Sequence, residues 1–273
     1  MRRWKRGAAA VAVLAAGLTV SACGSDDSGS GAPPASSSSA APISLPPAGA
    51  RADYQLGGGY APESGVRIVV RDSTDKPATG LYNVCYLNAF QTQPGTAAFW
   101  NARQDLVLRQ DGKPVANPDW PDEWLLDIST AAKRQRLVRI VGGWIAGCAK
   151  AGYQAVEFDN LDSFSRSHGA ISTDDADAFA RAIVSLAHDA GLAAGQKNRA
   201  DFDGRTVGFD FAIAESCAEW DECGSYLAHF GDHVIDVEYR RSDFATACRQ
   251  IGSRASVVYA DLELTPHGPR EWC

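Results

Sequence analysis

Apolar residues of this chain fall into short runs that are separated by longer stretches with helical spacing. Strands that alternate with helices pair in parallel, and about eight strands fit a closed barrel better than an open sheet. The pattern therefore predicts an α/β protein with a single-domain (β/α)8 TIM-barrel fold over residues 52–273. The strand-length runs are residues 67–70, 82–87, 124–128, 155–159, 193–197, 209–215, 234–239 and 257–262.

Helical patterns lie between several of these runs. Residues 134–150 and 175–190 each place their apolar side chains on one face, and the second begins with a Ser-x-x-Asp capping box. Residues 243–251 predict a shorter helix. No Gly-x-Gly-x-x-Gly sequence follows the first strand, which argues against a dinucleotide-binding fold. The glycine run 57–59 predicts a loop, and residues 53–56 before it are expected to line the floor or rim of the barrel.

The first 22 residues have the pattern of a secretory signal peptide, with four basic residues, a short apolar run and small residues at its end. Cys23 follows Val20-Ser21-Ala22, which resembles a bacterial lipobox and implies cleavage before Cys23 and lipidation of its sulfur. An ordinary secretory signal with a stray cysteine is the alternative. Residues 23–51 are rich in Ser, Ala and Pro and predict a flexible tether. We expect an extracytoplasmic protein that meets the membrane only through its lipid anchor.

Charge narrows the range of partners. The chain carries a net charge of −7, and loss of the four basic residues in the signal peptide makes it −11. A strongly acidic surface disfavours nucleic acid and anionic lipid headgroups, and it favours cationic partners. Solubility alone is the simpler explanation of this charge. Nothing in the sequence calls for a metal or an organic cofactor, and we expect a monomer.

Six cysteines remain when Cys23 carries the lipid. An even number in an exported protein indicates disulfide bonds, for which fifteen pairings are possible. A zinc site is the alternative, but the chain has no Cys-x-x-Cys or His-x3-His spacing to support it. The favoured pairs are Cys217 with Cys223, Cys248 with Cys273, and Cys85 with Cys148.

Three of the strand-like runs end in acidic residues. Burial of a carboxylate costs several kcal/mol unless the group is paired or used, and the active site of a TIM barrel lies at the carboxyl ends of its strands. Because side chains alternate along a strand, Glu157 is expected deep in the barrel and Asp159 at its mouth, with Glu215 ending a second strand. Two carboxylates across such a mouth can hydrolyse a glycoside, since one protonates the leaving oxygen while the other attacks or activates water. Each is alternatively a structural hydrogen-bond acceptor.

Other polar and aromatic residues near strand ends are candidates for substrate binding. Amide and ammonium groups can bind sugar hydroxyls, and aromatic rings stack on sugars and attract ammonium groups. Lys197 has an equally good explanation as a structural partner in a salt bridge. The predicted substrate-binding residues are Tyr54, Tyr86, Glu157, Asn160, Asp162, Lys197, Asn198, Glu238, Tyr239 and Asp261.

Five segments together resemble glycoside hydrolase family 114, whose members are endo-α-1,4-polygalactosaminidase-like enzymes on a TIM barrel. They are residues 80–88, 156–163, 195–198, 209–217 and 237–239, and they occur in the expected order. The resemblance implies cleavage of α-1,4-linked galactosamine polymers without a cofactor, with Asp159 as nucleophile and Glu215 as acid/base. Phe158 stands where the family usually has Pro, on the face away from the site. The alternatives are a non-catalytic carbohydrate-binding lipoprotein and a solute-binding transporter component, which typically needs two lobes.

Overall fold

Eight parallel strands form a curled sheet in the computed structural model, which describes residues 42–273. In chain order the strands are β1 (Ala52–Gln55), β2 (Ile68–Asp72), β3 (Tyr82–Leu87), β4 (Arg109–Gln110), β5 (Lys113–Pro114), β6 (Ala155–Phe158), β7 (Ala193–Lys197), β8 (Phe211–Glu215), β9 (Val234–Glu238), β10 (Ser256–Tyr259) and β11 (Glu271–Trp272). β4 and β5 make a separate hairpin. The remaining nine follow one another in the sheet, and only β11 runs antiparallel to its neighbour β10.

The helices do not follow every strand. They are α1 (Ala97–Asn101), α2 (Ala131–Ala151), α3 (Thr173–Asp189), α4 (Cys223–Phe230) and α5 (Arg241–Ile251). Three short 3-10 helices cover Gln104–Leu106, Ser163–Arg166 and Gly204–Val207. Within the described residues, no helix joins β1 to β2 or β2 to β3, and only a 3-10 turn joins β7 to β8. The eightfold strand pattern expected from the sequence is present, but the eightfold helix pattern is not.

The two ends of the parallel sheet are joined by side chains. The backbone N–H of Ala52 in β1 donates to Ser256 Oγ in β10 at 3.0 Å. Trp272 of β11 donates from Nε1 to the carbonyl oxygen of Ala52 at 2.7 Å. These contacts bring β1 next to β10 and β11. Because the eight strands pair in parallel, their carboxyl ends all point to one side.

Two apolar layers hold the sheet in place. Side chains such as Val84, Phe211 and Ile213 fill its interior, whereas Val156 and Phe158 face outward and pack against the helices. Gly195 of β7 is required inside, because a Cβ atom there would lie 2.6 Å from Phe211 Cζ. The alternation along β6 therefore directs Ala155 and Glu157 inward, and Val156 and Phe158 outward.

α2 and α3 confirm the two longer helices expected from the sequence. α2 is capped by Thr130 and ends at Gly152, which takes up the left-handed conformation that glycine tolerates best. α3 begins with the expected capping box, in which Ser172 accepts from the N–H of Asp175 and the Asp175 carboxylate accepts from Ser172.

The expected strand at residues 124–128 is wrong. These residues belong to a long segment, 88–130, that leaves the sheet after β3 and returns at α2. Leu125 and Leu126 make only isolated antiparallel bridges within it, to Gln91 and Val107. Their apolar side chains are buried in the core cluster that also includes residues of α2 and α3. The eighth parallel strand is instead β1, Ala52–Gln55, which overlaps the residues 53–56 expected at the floor or rim.

The six cysteines of the described region form three disulfide bonds, Cys85–Cys148, Cys217–Cys223 and Cys248–Cys273. This is the pairing that the sequence favoured. The first ties β3 to α2, and the third ties α5 to the C-terminus. Between residues 42 and 273 no helix is both long and apolar enough to cross a bilayer. Cys23 and the expected signal peptide lie outside the described residues.

Candidate active site

A buried lysine at the end of β7 connects three acidic side chains. Lys197 Nζ lies 3.0 Å from Glu215 Oε2, 3.3 Å from Glu157 Oε1 and 3.5 Å from Asp159 Oδ1. Its side chain is only 2 % exposed. Burial by itself would lower the pKa of Lys197, but the surrounding carboxylates raise it well above its usual range. The ammonium group is therefore held charged between the acids of β6 and β8.

Glu157 forms the deep part of this cluster. It accepts a hydrogen bond from the Tyr54 hydroxyl at 2.7 Å, and Lys197 in turn donates to that hydroxyl at 3.0 Å. The Glu157 side chain is fully buried, and its Oε2 atom has no hydrogen-bond partner. Burial raises the pKa of Glu157 to about 7, although Lys197 opposes the shift. Glu157 is therefore a carboxyl group that changes charge near neutral pH.

Asp159 lies nearer the opening, with its side chain 17 % exposed. The Tyr86 hydroxyl donates to Oδ2 at 2.6 Å, and the backbone N–H of Asn160 donates to Oδ1 at 2.7 Å. These donors hold the carboxylate in one orientation while leaving it accessible to a ligand. Hydrogen bonds to an ionised acceptor are about twice as strong as those between neutral groups.

Glu215 faces the same opening from β8. Tyr239 donates to its Oε1 atom, Asn198 Nδ2 lies 3.5 Å from Oε2, and the backbone N–H of Glu215 donates to Asn198 Oδ1 at 2.8 Å. Burial would raise the pKa of Glu215, but Lys197 and the hydrogen bonds from Tyr239 and Asn198 lower it below its usual value. In the free protein Glu215 is therefore ionised at neutral pH.

The backbone at the rim is left-handed after three consecutive strands. Asn160 follows β6, Asn198 follows β7 and Ser216 follows β8, and their φ angles are 65°, 50° and 57°. Such a conformation is uncommon for residues other than glycine and costs on the order of 1–3 kcal/mol, least for asparagine. The turns fix the point at which the chain leaves each strand, and with it the directions of Asp159 and Glu215.

Glu238 lies away from these groups. It sits with Asp236 on the outer face of β9, where Glu238 accepts from the N–H of Ala218 at 2.9 Å and Asp236 from that of Cys217 at 3.4 Å. Burial raises the pKa of both carboxyl groups, that of Asp236 most strongly, and Glu238 raises it further. The pair therefore supports the loop that follows Glu215 rather than the opening itself.

Ligand atoms of Cys217, Cys223, Asp236 and Glu238 lie within 4.8 Å of one another. They are the one group of three or more such residues found between residues 42 and 273. Both sulfurs are joined in a disulfide bond, so they have no thiolate to offer a metal ion. The two carboxylates that remain face backbone N–H groups of the neighbouring loop.

Asp162 and Asp261 also differ from the central cluster. Asp162 is 42 % exposed and makes a two-pronged salt bridge with Arg166, with both N–O distances at 2.8 Å. Asp261 accepts from Thr265 and lies 3.8 Å from Arg270. Neither carboxylate contacts Lys197. The structure therefore brings together seven of the ten predicted substrate-binding residues around the predicted catalytic pair: Tyr54, Tyr86, Glu157, Asn160, Lys197, Asn198 and Tyr239.

One acidic side chain near the opening had no signal in the sequence. Glu123 belongs to the segment between β3 and α2, and its Oε2 atom accepts from Asn88 Nδ2 at 2.8 Å. Asn88 directly follows β3 and Leu87. Its Oδ1 atom accepts from Asn160 Nδ2 at 2.9 Å, which links Glu123 to the turn beside Asp159. No strand leads into Glu123, so alternation along strands could not find it.

Comparisons with known proteins agree on the fold. The structure is similar to Ega3 of Aspergillus fumigatus, solved in complex with galactosamine, with a TM-score of 0.68 and 21 % identity over 85 % of this chain and 98 % of that one. It is also similar to the glycoside hydrolase domain of PelA from Pseudomonas aeruginosa, with a TM-score of 0.57 and 17 % identity over 80 % and 97 % of the two chains. No curated protein sequence matches. The profile of glycoside-hydrolase family GH114 matches residues 32–273, and the chain therefore belongs to that family.

Proposed function

We propose that this protein is a retaining glycosidase that cleaves α-1,4-linked galactosamine polymers, with Asp159 as nucleophile and Glu215 as acid/base. The observation that carries the proposal is the position of Lys197 between the two carboxylates. Family membership supports glycoside hydrolysis as the reaction class. The galactosamine bound in the structure of Ega3 supports the sugar.

The spacing of the acids favours retention of configuration. Lys197 Nζ lies 3.5 Å from Asp159 Oδ1 and 3.0 Å from Glu215 Oε2. Because both oxygens contact the same nitrogen atom, they can be at most about 6.5 Å apart. Retaining enzymes hold their carboxyl groups at about 5–5.5 Å, whereas inverting enzymes need about 6.5–9.5 Å to admit a water molecule.

Each carboxylate has surroundings that suit its proposed step. Asp159 accepts from the Tyr86 hydroxyl and a backbone N–H, so it is aimed before the sugar arrives. It would attack the anomeric carbon while Glu215 gives a proton to the leaving oxygen, and the ionised Glu215 would then activate the water that releases the sugar. Because Lys197 lowers the pKa of Glu215, the first step requires acidic pH, and we expect kcat at saturating substrate to rise as the pH falls below neutrality.

The preference for a cationic polymer is supported by the charge of the site and of the chain. Three carboxylates share one ammonium group at the opening. The whole chain carries a net charge of −7. An acidic cleft concentrates a cationic substrate at its surface.

Anchoring by a lipid on Cys23 and an extracytoplasmic location are part of the same proposal. Three disulfide bonds in the described region support an oxidising compartment, because such bonds are rare where glutathione keeps thiols reduced. Labelling cells with a radioactive fatty acid tests the anchor, since Cys23→Ser should abolish incorporation.

Activity is tested on purified protein with de-N-acetylated α-1,4-galactosamine polymer, by release of reducing ends. Asp159→Asn and Glu215→Gln should each lower kcat by at least about 10³-fold, because each removes a group that acts only in the transition state. Asp232→Asn is the matched control, since this carboxylate forms a surface ion pair with Arg254. Full activity in both site variants, or no product from the unaltered protein, would overturn the proposal.

Stereochemistry provides a second readout. Proton NMR of the first product formed should show the α-anomer, which then mutarotates. A β-anomer as the first product would contradict retention while leaving the two carboxylates as the catalytic pair.

A further inference from the structure

Glu123 is a partly buried carboxylate with no cation beside it. Its Oε2 atom accepts from Asn88, and within residues 42–273 its side chain makes no ion pair and no other hydrogen bond. By contrast, five acidic side chains of the opening and of the segment 88–130 have a positive partner. Asp159, Glu157 and Glu215 share Lys197, Asp162 pairs with Arg166, and Asp127 pairs with Lys133.

The pKa of Glu123 is raised, and within the described part of the chain no cation contacts its carboxylate to oppose the shift. Burial raises the pKa of Glu123 to about 7. The negative charge of Asp159 raises it further, whereas the hydrogen bond from Asn88 and the more distant charges of Arg166 and Lys197 oppose the shift. A carboxylate in such surroundings is stabilised by any cation that reaches it, and the free chain supplies none in direct contact.

Hydrogen bonds connect the Glu123 carboxylate to the proposed catalytic centre. A continuous chain of hydrogen bonds runs from the Glu123 carboxylate through Asn88 to Asn160 Nδ2, with distances of 2.8 Å and 2.9 Å. The backbone N–H of Asn160 donates to Asp159 Oδ1. Glu123 is therefore connected to Asp159 through only two residues, Asn88 and Asn160.

We propose that Glu123 is a specificity-determining residue that binds the free ammonium group of an amino sugar beside Asp159. The inference deepens the proposed function and rests on it. An ammonium group brings three N–H donors and the missing positive charge, whereas an N-acetyl group brings one neutral donor and more bulk. The Glu123 site thus selects for the de-N-acetylated sugar.

Binding to a catalytically silent protein separates this role from turnover. The background is Asp159→Asn, and the probes are a galactosamine tetramer and an N-acetylgalactosamine tetramer, measured by isothermal titration calorimetry at pH 7. Glu123→Gln keeps the shape of the side chain and an oxygen that accepts from Asn88, but it carries no charge. Asp122→Asn is the matched control, because Asp122 is exposed in the same segment and its loss removes the same charge from the surface.

Glu123→Gln should weaken binding of the galactosamine tetramer by about 10- to 100-fold, as expected for loss of a hydrogen bond to a charged group. Its affinity for the acetylated tetramer should stay within about twofold, as should the affinity of Asp122→Asn for both probes. In the background protein, affinity for the galactosamine tetramer should fall as the pH drops below 7, because Glu123 then takes up a proton. The fall should be smaller in the Glu123→Gln variant, which keeps only the titration of Glu157.

Equal losses for both tetramers, no loss, or no binding of the galactosamine tetramer by the background protein would each overturn the assignment of Glu123. The proposed function fails separately. If the tetramers bind with the expected selectivity but the unaltered protein releases no reducing ends, Glu123 keeps its role and glycoside cleavage is wrong. If cleavage occurs and Glu123→Gln leaves the selectivity unchanged, only the Glu123 assignment is wrong.

Discussion

Replacing Glu157 by Gln should make the protein more stable than the unaltered form at pH 8 and about equally stable at pH 4. Glu157 is fully buried, and its pKa is raised from an ordinary 4.5 to about 7. The folded state therefore holds a proton that the unfolded state releases as the pH rises through this window. Stability of the unaltered protein falls across it by about 3 kcal/mol, since each pKa unit corresponds to about 1.4 kcal/mol.

Gln resembles the protonated acid in this position. Its oxygen can still accept from the Tyr54 hydroxyl, and its amide group takes the place of Oε2, which has no hydrogen-bond partner. The substitution thus removes the titration of Glu157 without removing its main contact. Burial also raises the pKa of Glu123 and Asp236, but both are present in the two proteins and cancel in the difference.

Equilibrium unfolding in urea, followed by tryptophan fluorescence, measures the effect at pH 4, 5, 6, 7 and 8. The difference in free energy of unfolding between Glu157→Gln and the unaltered protein should grow from near zero at pH 4 to about 3 kcal/mol at pH 8. The slopes against urea concentration should be equal, which shows that both unfold the same structure. A difference that does not change with pH would refute the reasoning.

Three further variants, one of them a control, test the surroundings of the site. Lys197→Met should lower the free energy of unfolding by about 3–5 kcal/mol at pH 8, because it leaves buried carboxylates without their cation. The loss should be smaller at pH 5, where Glu157, the deepest of these carboxyl groups, takes up a proton. Urea unfolding at both pH values measures the effect, and equal losses would contradict this explanation. Joint replacement of Cys217 and Cys223 by Ser should cost about 2 kcal/mol of stability and should lower kcat, since the loop that they close directly follows the proposed acid/base residue. Joint replacement of Cys248 and Cys273 by Ser is the matched control, for which thermal unfolding should show a loss while kcat stays unchanged. Unchanged kcat in the first double variant would argue against support of the site by this loop.

The central strands were predictable because each one has its own run of apolar residues in the sequence. Seven of the eight parallel strands coincide with apolar runs in the sequence, and they follow one another in the sheet in chain order. Their carboxyl ends therefore share one edge, which is enough to bring Asp159 and Glu215 together. The alternation along β6 also predicted the depth of Glu157, since it depends only on the pleat of a strand.

The first strand was hidden by its polar residues. Asp53 and Gln55 of β1 face outward and hydrogen-bond each other at 2.8 Å, and Arg71 of β2 donates to Gln55 at 2.9 Å. Arg270, from the far end of the chain, lies 3.4 Å from Asp53. A strand whose polar side chains are satisfied by distant partners has no apolar signature of its own.

Glu238 was predicted to bind substrate, but it lies on the outer face of β9 for a reason that also depends on distant residues. Its alternation with Tyr239 was visible in the sequence, but which of the two faces inward depends on the register of β9 against β8 and β10. The register places Tyr239 toward Glu215 and turns Glu238 to the outside. Pairing between strands is a long-range property, and no pattern within one strand reports it.

The left-handed turns after β6, β7 and β8 restrict how this rim can be altered. A β-branched residue in place of Asn160, Asn198 or Ser216 would clash with its own backbone and move the adjoining catalytic group. The segment 88–130 has no such constraint over most of its length, because it lies outside the main sheet. Redesign toward other polysaccharides is therefore best directed at this insertion, with the strand ends left as they are.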